Sequence, residues 1–83
     1  MEINQVEAQI EAILFTLGDA VELSRIAAAI GHDEETVRKI IHNMMDKYES
    51  EDRGIHIIEL EGSFQLCTKP SLHESIIKIA HDP

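Results

Sequence analysis

Cysteine occurs once in the 83 residues, at Cys67, so no internal disulfide framework can form. That fits a reducing, cytoplasmic setting. No apolar run approaches the ~18 residues a membrane helix needs. The N-terminus has no basic segment leading into an apolar stretch, so no signal peptide is expected. The four glycines, Gly18, Gly31, Gly54 and Gly62, are isolated and build no phosphate-cradling loop. His32, His42, His56, His73 and His81 fall on different elements, without the close His or Cys spacing of a zinc site. Cys67 needs a base and an orienting group to act as a nucleophile. His56 is a candidate to face it across a hairpin, but no third group is evident. No enzymatic activity, metal or cofactor is therefore expected, and no repeat, low-complexity tract or long linker interrupts the chain.

Basic residues are also scarce: seven Lys plus Arg stand against sixteen acids, a formal net charge of −9. The deficit is spread along the chain. Residues 1–23 hold five acids and no base, residues 24–54 seven acids and five bases, residues 55–83 four acids and two bases. Non-specific affinity for nucleic acid comes mainly from Lys and Arg on phosphates, so every third of this chain repels a polyanion. Eighty-three residues make one small domain. A chain this short buries a smaller share of its surface than a longer one, and so tends to lean on a partner.

The chain is organised around Leu23–Tyr48. Leu23, Ile26, Ala27 and Ile30 recur at helical spacing. Gly31 suits the left-handed residue that ends a helix, and Asp33 suits the cap of the next. Val37, Ile40, Ile41, Met44, Met45 and Tyr48 then form a second stripe, the methionines at the core and its edge. Two amphipathic helices joined by a short Gly-containing turn are the helix-turn-helix pattern. In a DNA reader the N-terminal residues of the second helix meet base edges. Here they are Asp33, Glu34 and Glu35, which suit the helix dipole and face phosphates badly. The acid-first pairs Glu34→Arg38 and Glu35→Lys39 engage the neighbouring bases within the helix. Its outward face therefore reads as solvated.

Before this unit, Ile3, Val6, Ile10, Ile13, Leu14 and Leu17 predict a helix from about Glu2 to Leu17. The six fall within one ~100° arc, the width of a core-facing stripe. Ala8, Ala12 and Phe15 form a second apolar strip. Phe15 either packs under the entry to the second helix or the later hairpin, or it makes a homodimer contact. After the polar break Glu49–Gly54, Ile55–Leu60 and Ser63–Thr68 flank Glu61-Gly62, a hairpin signal. Ile58, Leu60, Phe64 and Leu66 are expected to share one face, with Ile55, Ile57 and Cys67 on the other. Which face is inner stays open, since a bulge would rotate part of a strand. Apolar residues on both faces suggest that one meets the helices and the other a partner. Ser71-Leu-His-Glu74 matches a capping box and starts a fourth helix, with Leu72, Ile76 and Ile79 on one stripe. His81-Asp-Pro83 is expected to stop it abruptly.

Helix, helix-turn-helix, β-hairpin and helix in this order predict an α+β winged helix-turn-helix domain: three helices, a two-stranded wing and the start of a fourth helix. The wording is more specific than the fold. Ile10-Glu-Ala-Ile-Leu-Phe15, the Gly18 turn, Ile26-Ala-x-x-Ile-Gly31, Asp52-Arg-Gly-Ile-His-Ile57, Gly62-Ser-Phe-Gln-Leu66 and Thr68-Lys-Pro70 together resemble the segregation and condensation protein B (ScpB) family. The resemblance covers nearly the whole chain. Ile58 and Cys67 depart from it, standing where more polar wing residues are expected.

The resemblance implies a non-enzymatic adaptor of the condensin-like SMC–kleisin complex. Such an adaptor dimerises through its N-terminal domain, binds the kleisin subunit (segregation and condensation protein A) and acts in chromosome condensation and partition. It implies a cytoplasmic, nucleoid-associated protein about twice this length, in which residues 1–83 are the N-terminal of two winged-helix domains. No direct sequence-specific DNA contact and no membrane contact are expected. Candidate interface residues are Ala8, Ala12 and Phe15, with Ile55 and Ile57 from the wing. The alternative is a DNA-binding transcription regulator using Arg38, Lys39, Asn43, Lys47 and Arg53.

Overall fold

The computed structural model describes residues 2–80. The expected stop at His81-Asp82-Pro83 lies outside them. The elements follow in the order α1 (Ile3–Leu17), β1 (Val21–Glu22), α2 (Leu23–Ile30), α3 (Glu34–Tyr48), β2 (Ile55–Leu60), β3 (Ser63–Thr68), a 3-10 turn (Pro70–Leu72) and α4 (His73–Ala80). The helix boundaries follow the local chemistry. Gly31 sits at φ +75° and its N–H donates to the Ala27 carbonyl at 2.9 Å, closing α2 in the left-handed conformation that glycine adopts without a Cβ penalty. Two residues later the Asp33 carboxylate accepts from the Thr36 N–H at 2.9 Å and the Thr36 hydroxyl at 2.7 Å, capping α3. These bonds favour the ionised carboxyl, and the Thr36 bonds hold the Asp33 pKa below the usual carboxylate value.

The sheet has three antiparallel strands in the order β1-β3-β2. The third strand, β1, is two residues long, too short for alternation to show. It is recognisable only by its partners: Val21 opposite Phe64 and Glu22 opposite Ser63. The Leu23 N–H donates to the Gly62 carbonyl at 3.0 Å, and Gln65 Nε2 donates to the Gly18 carbonyl at 3.0 Å. The wing is thus bonded to the α1–α2 connection.

The hairpin corrects the expected face assignment. Glu61 and Gly62 both have positive φ, +48° and +83°, as in the tight two-residue turn whose twist matches antiparallel strands. That turn places Leu60 opposite Ser63, Ile57 opposite Leu66 and Ile55 opposite Thr68. Odd-numbered residues of β2 therefore stand beside even-numbered residues of β3. Phe64 and Leu66 share their face with Ile55 and Ile57, not with Ile58 and Leu60. This is the inner face: Phe64 and Ile57 are buried, and Ile55 and Leu66 pack against the core at its edge.

The core joins Val6, Ile10 and Leu14 of α1 to Ile26 of α2, to Val37 and Ile41 of α3, and to Phe64 of β3. The stripes of α2 and α3 are buried much as their spacing predicts, with Ile30 and Met45 at the margin. The α1 stripe is buried only in its middle: Ile3 and Leu17, at its ends, are about half exposed. The capping box at Ser71 also needs correction. Ser71 lies inside the 3-10 turn, which starts at Pro70 with no side-chain cap bond, and α4 begins only at His73. No residue of α4 is buried.

Candidate partner-binding surface

Three features of the surface bear on function. The first is the exposed base set. Lys39 Nζ lies 3.8 Å from Glu35 Oε1, as its spacing predicts. Arg38 turns instead to the wing, with Nη1 3.8 Å from Glu59 Oε2, and His42 Nε2 lies 3.1 Å from Glu59 Oε1. Lys47 Nζ donates to Glu7 Oε1 at 2.9 Å, and Asn43 Nδ2 to Glu7 Oε2 at 3.4 Å. The Arg53 guanidinium lies over the Tyr48 ring, 5.9 Å from its centre. Each of the five groups considered for DNA contact already faces a carboxylate or an aromatic ring. Exposed ion pairs add little stability, but they cancel the local positive potential that steers a polyanion.

The second feature is the seam between α1 and the C-terminal end of α3. Beside the Glu7–Lys47 pair, the Tyr48 hydroxyl donates to a carboxylate oxygen of Glu11. Burial, the bond to Glu11 and the charge of Glu11 raise the Tyr48 pKa to about 12, against a smaller opposing effect of Arg53. The folded chain holds this proton more tightly than the unfolded chain, whose phenol titrates at the ordinary 10.0. The stabilisation is therefore fully present below about pH 10 and is lost as the pH rises towards 12. A rise of this size corresponds to at most about 2–3 kcal/mol. Tyr48 is the sole tyrosine and tryptophan is absent, so phenolate absorbance follows this group alone. We expect its midpoint near pH 12 in the folded protein, falling towards the ordinary value in Glu11→Gln.

The third feature is unsatisfied apolar surface. Phe15 is 77% exposed. It packs under neither the α2 entry nor the hairpin. Ala8 and Ala12 are exposed beside it on α1. Ile57 is a different case: only 2% exposed, it is a core residue and leaves the candidate interface, because the register turns it inward. Ile55 is half-buried on the same inner face. The outer face carries Ile58 and Cys67, both half-buried, and the exposed Leu60. Between α1 and α2 lies an apolar groove of about 430 Å³, lined by Ala12, Ile13, Leu17, Val21 and Ala29 with Arg25 the charged member. The apolar residues of α4, among them Ile77, are exposed as well, although a stripe of their spacing ordinarily marks a buried face.

Metal and thiol chemistry find little here. Among the described residues no three His, Cys, Asp or Glu side chains gather as a metal site. His56 stands opposite Cys67 in register, and its Nδ1 lies 3.9 Å from Glu49 Oε2, too far for a hydrogen bond. No helix of the described residues is long and apolar enough to cross a membrane.

Comparison with known proteins bears on the family. The family model for the segregation and condensation complex subunit ScpB matches residues 8–83. Segregation and condensation protein B of Lachnoclostridium phytofermentans is 65% identical over all 83 residues, which correspond to 44% of that relative. The chain belongs to the ScpB family. The ScpB of Agathobacter rectalis is 47% identical over 78 residues, covering 93% of this chain and 42% of the relative. The chain thus spans less than half the length of these family members. A solved structure of a dimer of the ScpB N-terminal domain, complexed with an ScpA peptide, superposes with a TM-score of 0.90 at 32% identity. It covers 96% of this chain and 100% of that one. The ScpB of Mycobacterium tuberculosis superposes with a TM-score of 0.91 over 99% of this chain and 51% of its own. At 20% identity it speaks for the fold alone. The winged-helix architecture is therefore that of the ScpB N-terminal domain.

Proposed function

We propose that these residues are the N-terminal domain of a two-domain, non-enzymatic adaptor that forms a homodimer and binds the kleisin subunit of an SMC complex, acting in chromosome condensation and segregation. The observation that carries this reading is the likeness, at 32% identity, to an N-terminal domain that is itself a dimer holding an ScpA peptide. That neighbouring domain, of the same extent as this chain, is described as a dimer complexed with an ScpA peptide, which supports both contacts here. The surface chemistry supports the same reading. Apolar residues stand in water on α1 and α4, while the bases of α3 face carboxylates and Arg53 faces an aromatic ring.

The test combines light scattering after size exclusion, calorimetric titration with an ScpA peptide, and a duplex-DNA titration across salt concentrations. We expect a dimer, peptide binding, and no DNA complex even at low salt. A strict monomer at high micromolar concentration that ignores the peptide would overturn the proposal. Duplex binding that weakens steeply with salt and is abolished by Lys39→Glu with Lys47→Glu would instead favour a transcription regulator.

A further inference from the structure

Three of the seven Lys and Arg residues, Arg38, Lys39 and Lys47, lie on α3, where the acids are Glu34, Glu35 and Asp46. By itself α3 is therefore electrically balanced. Two carboxylates from other elements tip it negative, and each takes a pair of side chains one helical turn apart. Glu59 of β2 lies 3.8 Å from Arg38 Nη1 and 3.1 Å from His42 Nε2. On the other flank, Glu7 of α1 accepts from Lys47 Nζ with both oxygens, at 2.9 and 3.1 Å, and from Asn43 Nδ2 at 3.4 Å.

These two acids are held differently from an ordinary surface carboxylate. The Glu7 side chain is 14% exposed and that of Lys47 56%. For Glu59 and Arg38 the values are 33% and 46%. In each pair the carboxylate is the more sheltered member. Glu35 and Lys39, paired within α3, both stand in water. A phosphate takes Lys39 at little cost, because an exposed pair is worth little. To take Lys47 it must leave Glu7 sheltered, charged and without its cation, and orphaning such a group is costly. Glu59 is fixed in place by the core. It stands opposite the fully buried Phe64, whose ring meets the edge of His42 with centroids 6.1 Å apart.

We infer that Glu7 and Glu59 set the partner class of this helix-turn-helix: reaching α3 from α1 and from the wing, they close its outward face to a phosphate backbone. The inference rests on the reading of a protein-binding adaptor and names the residues that exclude the other class of partner. Such specificity comes as much from an element that repels the wrong partner as from contacts to the right one. With both carboxylates in place, α3 and its two flanking positions hold five acids against three bases; with lysine at both positions the balance is reversed.

The test is binding of a labelled DNA duplex, followed by fluorescence anisotropy across salt concentrations. Glu7→Lys with Glu59→Lys should bind at low salt at least roughly 10-fold more tightly than Asp19→Lys with Glu74→Lys, and should lose affinity steeply as salt rises. Asp19 lies on the α1–β1 connection and Glu74 on α4, so this control changes the net charge equally and leaves both flanks of α3 intact. Circular dichroism checks that each variant is folded. Where the lysine pair disturbs the α1–α3 seam, Glu7→Gln with Glu59→Gln keeps the size of both side chains and decides the question against Asp19→Asn with Glu74→Gln, with the same preference expected in weaker form. Equal binding by variant and control, or no binding by the folded variant, overturns the inference and leaves the adaptor reading standing. Duplex binding by the parent chain overturns both.

Discussion

Phe64→Ala is expected to cost about 3–5 kcal/mol, the range for truncating a buried aromatic. Small domains have only about 5–15 kcal/mol of stability in total, so this change takes much of it. Phe64 is fully buried and lies where three parts of the fold meet. It pairs with Val21 of β1 and with Glu59 of β2. Its ring meets the edge of His42 from α3, centroids 6.1 Å apart. Residues from α1, α2 and α3 share its core cluster. The cavity left by its removal is therefore walled by separate elements bonded to one another, which limits collapse. The Leu23–Gly62 and Gln65–Gly18 bonds hold the wing against the helices while its packing is lost. Urea unfolding of the variant measures the cost. A loss below about 1 kcal/mol would mean that the wing contributes little to the core.

Leu14 and Phe15 are adjacent in sequence and should answer truncation in opposite ways. Leu14→Ala is expected to destabilise by about 2–5 kcal/mol, since Leu14 is fully buried with Ile10 and Val6 in the core. Phe15→Ala, although it deletes more atoms, should change dilute-solution stability by no more than about 0.5 kcal/mol, because a surface side chain away from other contacts leaves no cavity. Phe15 is 77% exposed, and its water contact is much the same folded or unfolded. Paired unfolding curves at low and high protein concentration separate the two residues. Any loss in Phe15→Ala that grows with concentration belongs to assembly, and Leu14→Ala should lose stability at both.

Much of the fold was legible because it is written in short-range chemistry. Gly31, Asp33 and the 3.6-residue stripes of α2 and α3 define those elements within a few residues, and the observed spans follow them. Glu61-Gly62 marks the hairpin for the same reason. The charge balance was equally legible: it is a sum over side chains and pointed away from nucleic acid before any contact was known. The motif wording from Ile10 to Pro70 reached the family.

The rest depended on distant partners. The two faces of the wing were misassigned because facing residues across a two-residue turn have opposite parity, so Phe64 joins Ile57 and not Ile58. Strand β1 has no pattern of its own and exists through its pairing with β3. The contacts of Arg38 and His42 with Glu59 join two elements that only packing brings together. The α4 stripe reads like any core helix, and nothing within it reveals that the body's core is complete without it.

Sequence alone therefore specified which segments are helix, turn or strand, and the sign of the surface, because propensity, capping and charge act over a few residues or simply add. Folding in three dimensions settled which apolar side chains are sheltered and which remain in water. Burial is a property of what lies opposite: for Ile57 the opposite wall comes from another part of the chain, and for Phe15 and Ile79 no such wall stands among the described residues.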